Sequence, residues 1–176
     1  MDNSKTFNIS EMEMKDAKSL QQLMTSNMEH FGKFLPMTLS QNQTLMQSEV
    51  YISKKALENK AKTTITFAIK EKSSDAVAGL VIIKNIDLAK KQGEFTYGIG
   101  KDFQGWGWTT SAVRKMTDYA SKKLGLKILQ IITHKTNLGS CKVAEKSGFL
   151  WKRTLINEFT PPNGKPMDME LYELSL

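Results

Sequence analysis

The hexapeptide QGWGWT, residues 104–109, separates two segments of different pattern in a 176-residue chain. The residues before it, 94–99, are typical of a strand, and from about Thr109 to Lys123 apolar side chains recur at helical spacing. A joint of this kind presents the N–H groups of the first helical turn, and the positive end of the helix dipole, to the loop. Gly105 and Gly107 allow positive φ and leave room for phosphate oxygens. This glycine loop therefore predicts an anion site, although two glycines can also serve only to turn the chain.

Two other phosphate-binding motifs are disfavoured. A P-loop needs Gly-x-x-x-x-Gly-Lys-Ser/Thr, and the chain contains no such string. A dinucleotide-binding fold needs Gly-x-Gly-x-x-Gly, but Thr110 stands where the third glycine belongs. The strand predicted at residues 127–134 is also followed by no acidic residue that could bind a ribose.

On both sides of the glycine loop, the pattern predicts one α/β (α+β) domain over residues 1–176. Helices are expected at residues 16–31, 38–60, 109–123 and 138–147, with Asp16 as the N-cap of the first. Strands are expected at residues 7–12, 65–71, 77–85, 94–99, 127–134, 149–159 and 167–176. This order predicts a mixed, mostly antiparallel twisted sheet of about seven strands, flanked by about four helices.

The positive charge of the chain is concentrated after the glycine loop begins. The whole chain has a net charge of +7, and residues 101–153 hold eleven Lys and Arg against three Asp and Glu, a local net charge of +8. Such a segment is typical of a surface for nucleic acid, membrane headgroups or a phosphorylated small molecule, or simply of a solvated face. The sequence alone leaves these alternatives open.

The remaining composition points to a soluble cytoplasmic protein. Cys141 is the only cysteine and cannot form an internal disulfide, which favours a reducing compartment. The N-terminus lacks the apolar core of a signal peptide, and no apolar run approaches the ~20 residues needed to span a bilayer. His30 and His134 are far apart and lack neighbouring carboxylates, so we expect no metal site.

Beyond this local chemistry, the chain resembles a known family over nearly its whole length. The glycine loop resembles the Gln/Arg-x-x-Gly-x-Gly/Ala motif of the GNAT superfamily of N-acetyltransferases, with Thr109 in the last place and two unusually large tryptophans. The sequence NLGSCKVAEKSGF, residues 137–149, resembles the Asn-x-x-Ser…Glu-Lys-x-Gly-Phe signature of the RimJ/RimL branch, with Cys141 where a basic residue is common. Residues 30–36, residues 93–100 and the pair Asp168 and Tyr172 are similar to that branch as well.

The resemblance implies a GNAT-like domain that binds acetyl-CoA. In this family the fourth and fifth strands splay apart in a V, and the pantetheine arm pairs with the exposed edge of the fourth strand. The residues thereby implied in cofactor binding are Tyr97, Gly98, Ile99, Gln104, Gly105, Trp106, Gly107, Trp108, Thr109, Thr110, Asn137, Ser140, Lys142 and Lys146. Lys142, Lys146 and Arg114 are the candidates for binding the 3′-phosphate of coenzyme A. Coenzyme A would then be the anionic partner of the local charge of +8.

The implied reaction is direct attack of a free amine on the acetyl thioester in a ternary complex. Glu94 is the candidate general base, and its alternative role is that of a structural carboxylate. Ser140 is the candidate proton donor near the coenzyme sulfur, or else an ordinary helix N-terminal serine. A backbone N–H near Ile99 is the expected oxyanion donor. An acyl-cysteine route through Cys141 is disfavoured because no partnered base is in view.

The acceptor amine is the least determined feature. Met28, Phe31, Phe34 and Met37 either form an apolar acceptor wall or belong to the core. The resemblance favours a protein or peptide N-terminal α-amine of the ribosomal-protein type, and the positive charge disfavours a strongly basic acceptor. The alternatives are a small-molecule amine, a polyamine or an antibiotic, a catalytically weak CoA-binding relative, or a module that stacks nucleic acid on Trp106 and Trp108. Of these alternatives the nucleic-acid module is disfavoured: we expect no nucleic-acid partner and no membrane partner, and a homodimer is left open.

Overall fold

The computed structural model describes residues 6–161 and 164–176, and these ranges contain seven strands and six α-helices. The predicted order of elements is confirmed, but two predicted helices are each divided in two. The elements are β1 (Phe7–Ser10), α1 (Ala17–Ser26), α2 (Met28–Phe34), α3 (Pro36–Ser40), α4 (Leu45–Ala61), β2 (Ile65–Glu71), β3 (Val77–Asp87), β4 (Gln92–Ile99), α5 (Trp108–Leu124), β5 (Ile128–Thr133), α6 (Leu138–Lys146), β6 (Leu150–Phe159) and β7 (Met167–Ser175).

Side-chain amides account for the extra helix breaks. Asn27 lies between α1 and α2 at φ −122°, and its Nδ2 donates to the Leu23 carbonyl at 2.9 Å in place of a backbone donor. Asn42 repeats this after α3, where its Nδ2 donates to the Thr38 carbonyl at 2.8 Å. Thr44 then begins α4 through a capping box with Gln47. The apolar spacing runs through the first break, from Leu23 and Met24 to Met28 and Phe31, so periodicity alone does not reveal it; the second break falls in the polar stretch of residues 40–44.

The sheet has the strand order β1-β2-β3-β4-β5-β7-β6, and every neighbouring pair is antiparallel except β4 and β5. The parallel pairing runs only from Gln92 opposite Ile128 to Phe95 opposite Ile131. Residues 96–99 continue to pair with β3 but have no partner in β5. The predicted V-shaped splay between the fourth and fifth strands is therefore confirmed, and it exposes one edge of β4.

Helices cover both faces of the sheet and form two apolar cores. The helices α5 and α6 pack on one face, and α1 to α4 pack on the other. At Gly98 the second layer comes so close that an added Cβ would lie 2.6 Å from Leu35 Cδ1 and 2.9 Å from Phe31 Cε1. The absence of a side chain at Gly98 therefore lets α2 sit directly on the end of β4. In the described ranges, no helix has the length and apolarity of a membrane span.

An aromatic cluster anchors the start of α5. Trp108 is only 3% exposed and lies between Phe7 and Phe103, with ring centroids 5.3 and 5.4 Å away. Trp106 meets Trp108 edge to face at 5.1 Å. Since Trp108 packs inward, it is no platform for a nucleic-acid base, and the two large side chains hold the glycine loop to the sheet instead.

Candidate active site

The glycine loop has a backbone that suits an anion. Gly105 and Gly107 have φ of 79° and 76°, a conformation that L side chains rarely adopt. The first helical hydrogen bond of α5 runs from the Ser111 N–H to the Gly107 carbonyl at 3.0 Å, so the turn before it directs its N–H groups along the helix axis. A Cβ built on either glycine meets no atom within 4 Å, and the space in front of the loop is therefore open. The positive end of the α5 dipole, the free N–H donors of its first turn and the open space at Gly105 and Gly107 therefore lie at the same place.

The start of α6 faces the exposed edge of β4. Asn137 caps this helix, with its Oδ1 accepting from the Ser140 N–H at 3.2 Å. The Tyr97 hydroxyl lies 2.9 Å from Ser140 Oγ and 3.2 Å from the Ser140 carbonyl oxygen. Burial raises the pKa of Tyr97 above its ordinary value, so its hydroxyl stays protonated. When Tyr97 donates to Ser140 Oγ, the Ser140 hydroxyl keeps its own proton to donate elsewhere, and the two side chains form one polar pair across the splay.

Glu94 lies further down β4 with both carboxylate oxygens engaged. Its Oε1 is 3.0 Å from Lys84 Nζ, and its Oε2 accepts from Asn85 Nδ2 at 2.8 Å. The side chain is 13% exposed and faces Lys84 directly across the β3–β4 ladder. These contacts are those of a structural carboxylate, one of the two roles that the sequence left open for Glu94. Glu94 also lines a large groove.

This groove runs through the splay and has a volume of about 1210 Å³. It brings together six of the residues predicted for catalysis or cofactor binding, which are Glu94, Tyr97, Gln104, Thr109, Asn137 and Ser140. Two apolar walls flank it. The helix wall consists of Phe34, Pro36 and Met37, and the hairpin wall consists of Phe159, Pro161, Met167 and Met169.

The four predicted acceptor residues divide between the groove and other positions. Phe34 and Met37 line the groove. Phe31 is completely buried against Gly98, and Met28 is 51% exposed outside the groove lining. The hairpin wall escaped sequence reasoning, because alternating apolar residues in a last strand look like ordinary core. Its only signal was the pair Met167 and Met169 beside the Pro161 turn.

His30 contacts the glycine loop, a role that the sequence did not predict. Its Nε2 is 3.2 Å from Nε2 of Gln104, and its ring also hydrogen-bonds to the Ile99 backbone. Burial lowers the pKa of His30, and the nearby charges of Lys33 and Lys101 lower it further. In residues 6–161 and 164–176, no three His, Cys, Asp or Glu side chains come together as a metal site requires.

Basic side chains cluster near the N-terminal half of α5 and on α6. Lys142, Lys146 and Arg114 are exposed, and the Arg114 guanidinium donates to the Lys146 carbonyl. This contact joins α5 and α6, two helices of the segment with the local net charge of +8. Gly105, Trp106, Gly107 and Thr110 do not line the groove itself; along the chain they lie between Gln104, which does, and Arg114 on α5.

A comparison with protein families accounts for this arrangement. The family model described as "Acetyltransferase (GNAT) domain" matches residues 7–150. The chain belongs to the GNAT acetyltransferase family. It is thus an acyltransferase, and acetyl-CoA is the acetyl donor in this family.

Relatives of this GNAT acetyltransferase carry the RimJ/RimL type of name, as the resemblance predicted. A Bacillus subtilis protein named as a ribosomal N-acetyltransferase is 29% identical over 163 residues, covering 93% of this chain and 87% of that protein. Among solved structures, RimL, a ribosomal L7/L12 α-N-protein acetyltransferase in complex with coenzyme A, superposes with a TM-score of 0.88 at 16% identity, over 98% of this chain and 96% of that one. The microcin C7 self-immunity acetyltransferase, in complex with acetyl-CoA and AMP, has a TM-score of 0.86 at 24% identity, over 100% of this chain and 96% of that one. The two structural likenesses concern the fold.

The residues of this GNAT acetyltransferase fit coenzyme A. The Cβ positions of Gly105 and Gly107 are open, so no side chain blocks the approach of phosphate oxygens there, and the first turn of α5 supplies N–H donors. The edge of residues 96–99 that has no β5 partner offers backbone groups to the amide-bearing pantetheine arm, and at Ile99 one backbone group is also bonded to His30. Thr109 replaces the usual small residue without removing a backbone N–H, and it is only partly buried.

Proposed function

We propose that this acetyltransferase transfers an acetyl group from acetyl-CoA to the N-terminal α-amine of a protein or peptide. The observation that carries the proposal is the groove, because it links the glycine loop and the splay with a space between two apolar walls. An extended peptide end fits such a slot, and the methionines and phenylalanines of both walls adapt to different side chains. The name of the Bacillus subtilis relative supports an acceptor of the ribosomal-protein type.

The coenzyme is held at three places in this proposal. The glycine loop and the first turn of α5 bind the pyrophosphate, with Gln104 to Thr110 contributing mainly backbone N–H groups. The edge of β4 around Tyr97, Gly98 and Ile99 and the cap residue Asn137 bind the pantetheine arm. Lys142 and Lys146, with Arg114, meet the 3′-phosphate.

The reaction proceeds by direct attack in a ternary complex. Bound acetyl-CoA supplies a thioester whose carbonyl carbon accepts the amine. Glu94 takes one proton of the acceptor ammonium before the attack. As the C–S bond breaks, the Ser140 hydroxyl, which accepts from Tyr97, gives its proton to the leaving sulfur and regains one from the nitrogen of the tetrahedral intermediate. A backbone N–H near Ile99 stabilises the oxyanion. Cys141 is partly buried and does not line the groove, which supports a route without an acyl-cysteine.

The charges of the groove favour a peptide over a polyamine. Its charged lining residues are Lys33, Lys54, Lys55, Lys84, Glu94 and Glu158. Lys33 also pairs with Glu29, and Lys54 and Lys55 pair with Glu58, so the repulsion of an acceptor with several ammonium groups comes mainly from the net charge of +7 of the whole chain. A single α-ammonium, followed by neutral or acidic residues, meets Glu94 without that repulsion.

An acceptor screen with labelled acetyl-CoA tests this function. We expect label on peptides with a free α-amine, with acidic peptides labelled several-fold faster than basic ones. A matched peptide with a blocked N-terminus and a free lysine is the control, and it should remain unlabelled. Labelling confined to spermidine or aminoglycosides would instead assign a small-molecule acceptor. Acetyl-CoA binding without transfer to any of these acceptors would indicate a catalytically weak relative.

Glu94→Gln tests the proposed base. The substitution should lower kcat/KM about a hundredfold at neutral pH, because general base catalysis is worth roughly that factor or more. The difference in kcat/KM between the variant and the parent protein should become smaller as pH rises, because a growing fraction of the acceptor amine is then already deprotonated in solution. The measurement is the pH–rate profile of acetyl transfer with saturating acetyl-CoA.

Two further variants control this experiment. Lys84→Gln removes the ion-pair partner but keeps the carboxylate, so it should retain most of the activity. Ser140→Ala should lower the rate by a similar factor at every pH, because its proton goes to the leaving group. Equal rates for Glu94→Gln and the parent protein across the pH series would exclude Glu94 as the base.

A further inference from the structure

The junction of α1 and α2 makes polar contacts to the segment that leads from β4 into the glycine loop. Asn27 Oδ1 accepts from the Lys101 N–H at 2.9 Å. His30, one helical turn later, contacts Gln104 through Nε2 at 3.2 Å and the Ile99 backbone through its ring. The two side chains therefore hold residues 99–104 from one side of the helix.

The hydrogen-bond roles in this contact follow from the groups themselves. Asn27 Nδ2 donates to the Leu23 carbonyl at 2.9 Å, which leaves its oxygen to accept from Lys101. The Gln104 Nε2 group can only donate, so His30 Nε2 accepts and the ring is neutral. Burial and the charges of Lys33 and Lys101 favour that neutral form.

Packing beneath these contacts keeps the helix close. Gly98 admits Phe31 and Leu35, and a Cβ on Gly100 would lie 2.8 Å from Leu23 Cδ1. The His30 ring itself lies 5.2 Å from Phe34 of the helix wall. One short helix thus touches the acceptor side of the groove and the first residue of the glycine loop.

We infer that His30 is a positioning residue for coenzyme binding, which acts through Gln104 to set the approach of the glycine loop, with Asn27 as its companion. The inference rests on the proposed placement of the pyrophosphate on that loop. It assigns His30 no contact with the reacting atoms. In this inference α2 connects the helix wall to the glycine loop, because it contacts both.

A double-mutant cycle on acetyl-CoA binding, measured by calorimetry, tests this link. His30→Leu and Gln104→Ala should each raise the Kd roughly five- to tenfold, the effect of one lost hydrogen bond that orders a loop. The double variant should be no weaker than the worse single variant, because both changes break one contact. His30→Gln, whose side-chain oxygen can accept from Gln104, should bind within about twofold of the parent protein. In steady-state kinetics, His30→Leu should raise KM for acetyl-CoA and leave kcat nearly unchanged.

The control is Glu29→Gln, which changes the neighbouring exposed residue of α2 and should leave the Kd unaltered. Losses that multiply in the double variant would overturn the inference, as would an unchanged Kd in His30→Leu. A parallel fall in the thermal midpoint of His30→Leu without rescue by His30→Gln would reduce His30 to a packing role and would also overturn it. Failure of the loop assignment itself is recognised separately, by normal acetyl-CoA binding in a Gly107 variant.

Discussion

Gly107→Val is expected to weaken acetyl-CoA binding about a thousandfold, as the loss of two or more charge-assisted hydrogen bonds to phosphate would do. Valine at φ 76° forces the backbone out of its present conformation, because its branched Cβ clashes with the neighbouring carbonyl. The N–H groups at the start of α5 then no longer converge. The new side chain also occupies the space in front of the loop, which is open in the parent protein. Calorimetric titration with acetyl-CoA measures the effect.

Gly125→Val is the matched control at the opposite end of the same helix. Gly125 has φ of 68°, follows the last residue of α5, and likewise has no atom within 4 Å of an added Cβ. Both substitutions should therefore cost similar stability through backbone strain, of about 1–2 kcal/mol. Only the change at Gly107 should affect the coenzyme. Equal losses of affinity in the two variants would assign the effect to general destabilisation and would remove the glycine loop from the site.

Lys70→Met is expected to destabilise the fold by about 3–5 kcal/mol, the cost of leaving a buried charge without its partner. Lys70 and Asp16 have side chains that are only 2% and 3% exposed. Lys70 Nζ lies 2.8 and 2.7 Å from the two carboxylate oxygens of Asp16. Asp16 also accepts from the Glu13 N–H at 2.8 Å, so the pair ties the segment before α1 to β2. Denaturant unfolding followed by circular dichroism gives the free energy of unfolding.

The double variant Asp16→Leu/Lys70→Met separates lost attraction from stranded charge. Because buried ion pairs gain little over well-packed apolar residues, the double variant should recover most of the stability lost by Lys70→Met. Lys90→Met, which breaks an exposed pair with Asp87, should leave the unfolding midpoint almost unchanged. A loss of less than about 1 kcal/mol in Lys70→Met would mean that Asp16 finds other partners and that the pair does not hold α1 in place.

The sequence was sufficient wherever the signal lies within a few residues. The glycines at 105 and 107 and the helix after them predicted the loop at the start of α5, and the structure gives both glycines positive φ. Ser140 was expected either as a proton donor or as an ordinary helix N-terminal serine, and the structure places it in the first turn of α6, with Asn137 as the cap. The order of strands and helices followed from the same local patterns, and the family's motifs predicted the splay.

Other features depend on residues that are distant in the chain. Asp16 lies before α1 as expected, but its carboxylate binds Lys70, 54 positions away, in place of an N–H of the helix. The spacing of Phe31 suits either a core position or a binding wall. The structure buries it in the core, because Gly98 of β4 has no side chain in its way. The sequence around Trp108 does not show whether its ring faces solvent or protein. In the structure the ring packs inward because it stacks on Phe7, which comes from a distant part of the chain.

The amino-acid sequence by itself determined the order of strands and helices, the glycine loop and the family of this acetyltransferase, because helix periodicity, glycine conformation and motif spacing are local properties. Only the tertiary structure decided that His30 reaches Gln104, that Lys84 holds Glu94, and that the hairpin wall completes the groove. Each of these contacts joins strands or helices whose neighbours are set by the order of the sheet. That order follows from packing across the whole chain, which no short window of sequence contains.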